Sequence, residues 1–155
     1  MLWIHRPWPR RHFCAGLACL GVALGLGGPR RTGAQSPGVD AQILARGQAD
    51  FAEELGGPAD IVMAQIRFEP GASLPWHQHP GPVRAVITRG ALSIYGSDGC
   101  RSVYPAGVGV TVPLGTIHFE RNDGDEPVEL VATYIVPPGS PLRVDAPAST
   151  AACAT

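Results

Sequence analysis

The chain has 155 residues, of which 12 are basic and 13 acidic, enough for one domain with a core and too few for two comfortable ones. Every basic residue is arginine, and five of the twelve (Arg6, Arg10, Arg11, Arg30 and Arg31) lie before the first acid, Asp40. From Gln35 onward seven arginines stand against thirteen acids, a net charge of −6, which excludes the basic footprint that a nucleic-acid partner requires.

The first element in chain order is a leader. Residues 1–34 combine a basic start, an apolar run from Phe13 to Leu26 and a small-residue end at Thr32-Gly33-Ala34, the layout of a cleaved secretory signal. Arg10-Arg11-His12-Phe13 has the R-R-x-F form of twin-arginine signals. The apolar run is shorter than the ~20 residues of a spanning helix, so no stable membrane span is expected after cleavage, and the protein is expected in the periplasm or outside the cell. Cys100 and Cys153 are the cysteines left beyond the leader. In an oxidising compartment they are expected to pair.

Residues 35–40 read as a linker, 41–144 as the packed domain and 145–155 as a C-terminal tail rich in Ala and small residues. Within the domain, β-type runs recur every 8 to 12 residues or so, the rhythm of an all-β sandwich or barrel. The runs predict strands near 43–46, 61–68, 76–79, 83–88, 91–95, 101–104, 108–112, 117–121 and 128–136. Gly71, Gly90, Gly99, Gly107 and Gly115 fall at the turns between them, where a positive φ suits glycine. The period of residues 51–55 fits a helical turn or a loop. Ile66, Phe68, Val86, Val110, Val112 and Leu130 are the candidate core or cavity walls.

Beyond the leader the chain has three histidines, His77, His79 and His118. Two residues apart on a strand, His77 and His79 point to one face and can approach one ion together, with His118 completing the site from another strand. The spacing around them is specific. Gly71, His77, His79 and Gly90 fit G-x5-H-x-H-x3-E-x6-G in every position except the glutamate, where Val83 stands. Gly107, Pro113, Gly115, His118 and Asn122 fit G-x5-P-x-G-x2-H-x3-N without a gap. These two patterns resemble the paired motifs of the cupin superfamily, over nearly the whole domain. The resemblance implies a single jelly-roll β-barrel of six to eight strands with a divalent metal held by the three histidines inside its mouth, and often a homodimer.

A valine cannot ligate, so the resemblance leaves either three histidines with water or a carboxylate from elsewhere. Glu120 is the candidate: two residues after His118, it shares that residue's face if the strand is regular. The competing reading is a solvated glutamate, or one paired with Arg121 or Arg84. Zinc, iron, manganese, nickel and copper all remain open as the ion. Two functions follow. One is a metal-dependent enzyme acting on a small molecule, of oxygenase, isomerase or hydrolytic type, with Tyr95, Tyr104 and Tyr134 as the other acid–base candidates. The other is a non-catalytic module that binds a small molecule or a metal in the cell envelope.

Overall fold

The computed structural model describes residues 36–51 and 55–154. The leader, the start of the linker and residues 52–54 of the undecided 51–55 stretch lie outside the described residues, at whose edge Leu55 is helical. Among the described residues the fold is all-β, with ten strands: β1 (Val39–Phe51), β2 (Gly57–Phe68), β3 (Ser73–Gln78), β4 (Val83–Arg89), β5 (Ala91–Gly96), β6 (Arg101–Pro105), β7 (Gly109–Val112), β8 (His118–Arg121), β9 (Val128–Val136) and β10 (Val144–Asp145). They form two five-stranded antiparallel sheets, ordered β1-β2-β9-β4-β7 and β10-β3-β8-β5-β6. Among the described residues no helix is long and apolar enough to cross a membrane.

The alternation of side chains explains the layering. Along β9 every second residue, from Val128 through Leu130, Ala132 and Tyr134 to Val136, is buried, which puts one face of that strand into the core. Val62, Ala64, Ile66 and Phe68 do the same from β2, and Leu92 meets them from the facing sheet. Val86 corrects the expected wall list: it is 49% exposed. Val83 and Ile87 face inward from β4, and a residue an odd number of positions from both must face out. The other five expected wall residues are buried.

Two boundaries also move. β1 starts at Val39, which is buried, so Val39 and Asp40 belong to the sheet rather than to a linker, and β1 runs to Phe51 instead of ending near Arg46. At the other end, Val144 and Asp145 pair with Gln78 and His77 of β3, so Asp145 belongs to that sheet rather than to the tail. The Cys100–Cys153 disulfide is formed, across 53 residues of sequence, and ties the tail to the turn between β5 and β6.

Glycine is required at Gly90. Its φ is +71°, and an added Cβ would lie 2.8 Å from the Pro127 carbonyl oxygen, so a side chain there meets both backbone strain and a clash. Asn122, the last residue of the second motif, is fully buried. Its Nδ2 donates to the carbonyls of Phe68 (3.2 Å) and Glu126 (2.7 Å), and its Oδ1 accepts from the Gly124 N–H (3.0 Å). Asn122→Ala strands all three partners, and is expected to cost about 2–4 kcal/mol in chemical denaturation. A change within 0.5 kcal/mol would show that water replaces the amide.

Candidate metal centre

His77 and His118 are directly opposed across the β3–β8 ladder. His79 follows the last residue of β3, and all three histidines are buried. The ring centroids are 4.3 Å apart for His77 and His118, 4.9 Å for His77 and His79, and 5.2 Å for His79 and His118. One ligating atom from each ring lies within 4.8 Å of the others.

Each ring is oriented from behind by a backbone carbonyl. His77 Nδ1 is 2.7 Å from the Pro75 oxygen, His79 Nδ1 2.6 Å from Leu142, and His118 Nδ1 3.0 Å from Thr116. A carbonyl only accepts, so each Nδ1 carries the proton and Nε2 of each neutral ring keeps its lone pair. This is the back-support that orients histidine ligands of metals. His118 Nε2 is buried without a hydrogen-bond partner, an uncompensated cost in a closed protein interior.

Glu120 faces this atom. Its Oε1 is 3.7 Å from His118 Nε2, and its side chain is 12% exposed. That separation is too long for a hydrogen bond and close to the ~3–3.5 Å between two donors that share one ion at bonds of ~2.1 Å. Neither alternative for Glu120 holds: it is not solvated, and among the described residues it pairs with no arginine. Arg121 pairs with Asp123 instead, and Arg84 is exposed. On β8 Glu120 is flanked by Leu74 of β3 and Ile94 of β5, so its carboxylate enters the site from the sheet that carries the histidines. Val83, at the position of the missing motif glutamate, lines the same cavity from the opposite sheet as plain apolar wall.

The electrostatics couple these groups. Burial lowers the His77 pKa to about 4 against the pull of Glu120, and burial likewise lowers His79. Both rings are therefore neutral and free to ligate at ordinary pH. For His118, burial pushes downward, but the adjacent Glu120 carboxylate and the Thr116 carbonyl outweigh it and raise the value. Burial opposes the charge on Glu120, and the surrounding histidines, His118 first, outweigh it and hold its carboxyl below the usual range. A buried anion beside an unpartnered nitrogen and two neutral imidazoles is a donor set that fits a divalent cation.

The cavity enclosed by these residues is small, about 50 Å³, with Ile87, Leu92, Val110 and Leu130 among its walls. Tyr134 is buried on its edge, its ring 5.4 Å from that of His79. Burial and the nearby Glu120 charge raise the Tyr134 phenol, so it stays protonated. Of the other tyrosines, Tyr95 donates to Asp123 near the surface and Tyr104 packs on the core, and neither lines the histidine cavity. Sequence reasoning missed Arg143, which also lines the cavity, and the carbonyl of Leu142 behind His79. No spacing rule marks either, because both come from an irregular segment brought in by tertiary contacts.

The cupin domain family matches residues 64–136. Germin-like protein 5-1 of Oryza sativa subsp. japonica is 28% identical over 79 residues, covering 48% of this chain and 36% of that protein, so the match spans about a third of that relative's length. Among solved structures, a conserved protein with a double-stranded β-helix domain from Klebsiella pneumoniae superposes with a TM-score of 0.56 at 18% identity, covering 76% of this chain and 92% of that one. Oxalate oxidase superposes with a TM-score of 0.53 at 25% identity, covering 75% and 59%. With both histidine motifs on one two-sheet barrel and the family match across them, residues 64–136 form a cupin domain.

Proposed function

We propose that this protein is an exported metal-binding cupin in which His77, His79, His118 and Glu120 hold one divalent ion, and that it is an enzyme acting on a small molecule. The observation that carries this reading is the orphaned His118 Nε2 facing the buried Glu120 carboxylate at 3.7 Å. An apolar interior has no use for that pair unless a cation lies between them. Three back-supported rings and one carboxylate then form a four-donor set with an unusual origin for its carboxylate.

An ion bound there supplies Lewis-acid polarisation of a substrate oxygen. The residues of the chain do the rest. The carbonyls of Pro75, Leu142 and Thr116 hold the rings in register, Glu120 supplies the negative charge that offsets the cation, and the apolar walls exclude water. Tyr134 offers a protonated hydroxyl at the cavity edge. The inward position of Glu120 favours the enzyme over a module that captures a small molecule without a metal, since a purely apolar pocket would serve the latter. Export rests on the leader sequence, and the disulfide is compatible with it.

Elemental analysis of protein purified without chelators tests the site. One equivalent of a divalent metal is expected in the native protein, and essentially none in His77→Ala and His118→Ala. A native protein that takes up no metal at any supplied concentration would overturn the enzyme reading.

A further inference from the structure

The segment after β9 places a cation where the metal reading leaves it unused. Arg143 lines the histidine cavity and also a second, larger cleft of about 680 Å³. Ile66, Leu74 and Tyr134 line both spaces as well, so the two meet at these side chains. The Arg143 side chain is 23% exposed, and its one ion pair among the described residues is a 3.5 Å contact from Nε to Asp145, whose own side chain is 81% exposed. That leaves the two terminal nitrogens of the guanidinium fork without a carboxylate, at the junction of the two cavities. A partly buried guanidinium in this state is matched by a bidentate anion.

The rest of the large cleft is apolar in character on one side. Val39, Ala41 and Ile43 line it from β1, and Ala64 from β2. The three β1 residues alternate along the strand and so present one continuous stripe. We propose that the cleft binds a carboxylate with an apolar tail, its head group on Arg143 and its tail along the β1 stripe. The head then abuts the small cavity, so the proposal names the ligand class of the centre described above and rests on that reading. A single planar fork suits a monoanion. A head group alone would leave the larger cleft unfilled.

Titration calorimetry with octanoate, acetate and 1-octanol, on the purified protein with its metal and after chelation, tests this. Octanoate is expected to bind saturably, and acetate more weakly, by roughly two- to fourfold for each methylene removed that the stripe had covered. Arg143→Gln is expected to lose at least about tenfold in octanoate affinity with its metal content unchanged. Ile43→Asp should lose octanoate affinity and leave acetate alone. Equal affinity for octanoate and 1-octanol, or for octanoate and acetate, overturns the proposal, as does native affinity in Arg143→Gln. So does the absence of saturable binding in metal-containing protein, whether a second copy of the chain or one of its own segments fills the cleft. Octanoate binding through Arg143 in a protein that never takes up metal would instead overturn the metal reading and leave the cleft assignment standing.

Discussion

Glu120→Gln is expected to weaken metal binding by on the order of 10- to 100-fold, the range seen when a charged group supporting a metal site is removed, with the fold retained. Glutamine keeps the shape and one oxygen but removes the charge. The same substitution has a signature in the metal-free protein, because Glu120 is what lifts His118 above its ordinary value against burial. Without the carboxylate, burial and the Thr116 carbonyl remain, and the His118 pKa should fall. The sign follows for metal uptake. The ion needs unprotonated His118, so proton competition in the native protein sets in as pH drops through the raised value, and in the variant only at lower pH. Metal titrations at several pH values, with NMR titration of His118 in the metal-free state, read both effects. Unchanged affinity together with an unchanged His118 titration would remove Glu120 from the site.

Cys153→Ser is expected to destabilise the protein by up to about 4 kcal/mol, the chain-entropy value for a closed loop of this size. The Cys100–Cys153 bond closes a loop that contains β6 to β10, and the tail is otherwise held by few contacts. Ala146 N–H donates to the Trp76 carbonyl at 2.9 Å and Ser149 Oγ to the Ser97 carbonyl at 2.6 Å. Part of the loss should therefore be local, as fraying from residue 146 onward, visible as faster hydrogen exchange there than in β9. The segment that frays adjoins Leu142, whose carbonyl orients His79, so a few-fold loss of metal affinity should accompany it. Thermal denaturation and metal titration, with and without a reductant for the native protein, measure both. Identical melting with the bond open or closed would show that strand packing alone holds the tail.

The histidine site was legible for a local reason. A separation of two residues puts His77 and His79 on one face of an extended segment, and the glycines at 71, 90, 107 and 115 mark turns that all take a positive φ. The position of Glu120 was legible too, from its distance of two residues from His118 on a regular strand. Its two competing fates turned on neighbours that are remote in sequence: Leu74 and Ile94 on the flanking strands, and Asp123, which takes Arg121 away.

By itself, then, the sequence determined the all-β class, the two motifs, the grouping of His77, His79 and His118, and the partnership of Cys100 with Cys153. Each of these depends on strand periodicity, turn chemistry or a count of residue types. Tertiary structure alone decided the rest. Leu74 and His77 are three apart and would face opposite ways on a regular strand, yet both line the cavity, because the β3–β8 register shifts between them. That irregularity also aims the Pro75 carbonyl at His77. Val83 became wall rather than ligand, Val86 turned outward, and Leu142 and Arg143 reached the site from a segment of irregular composition. Such placements depend on sheet register and chain packing over tens of residues, and no local pattern of side chains encodes them.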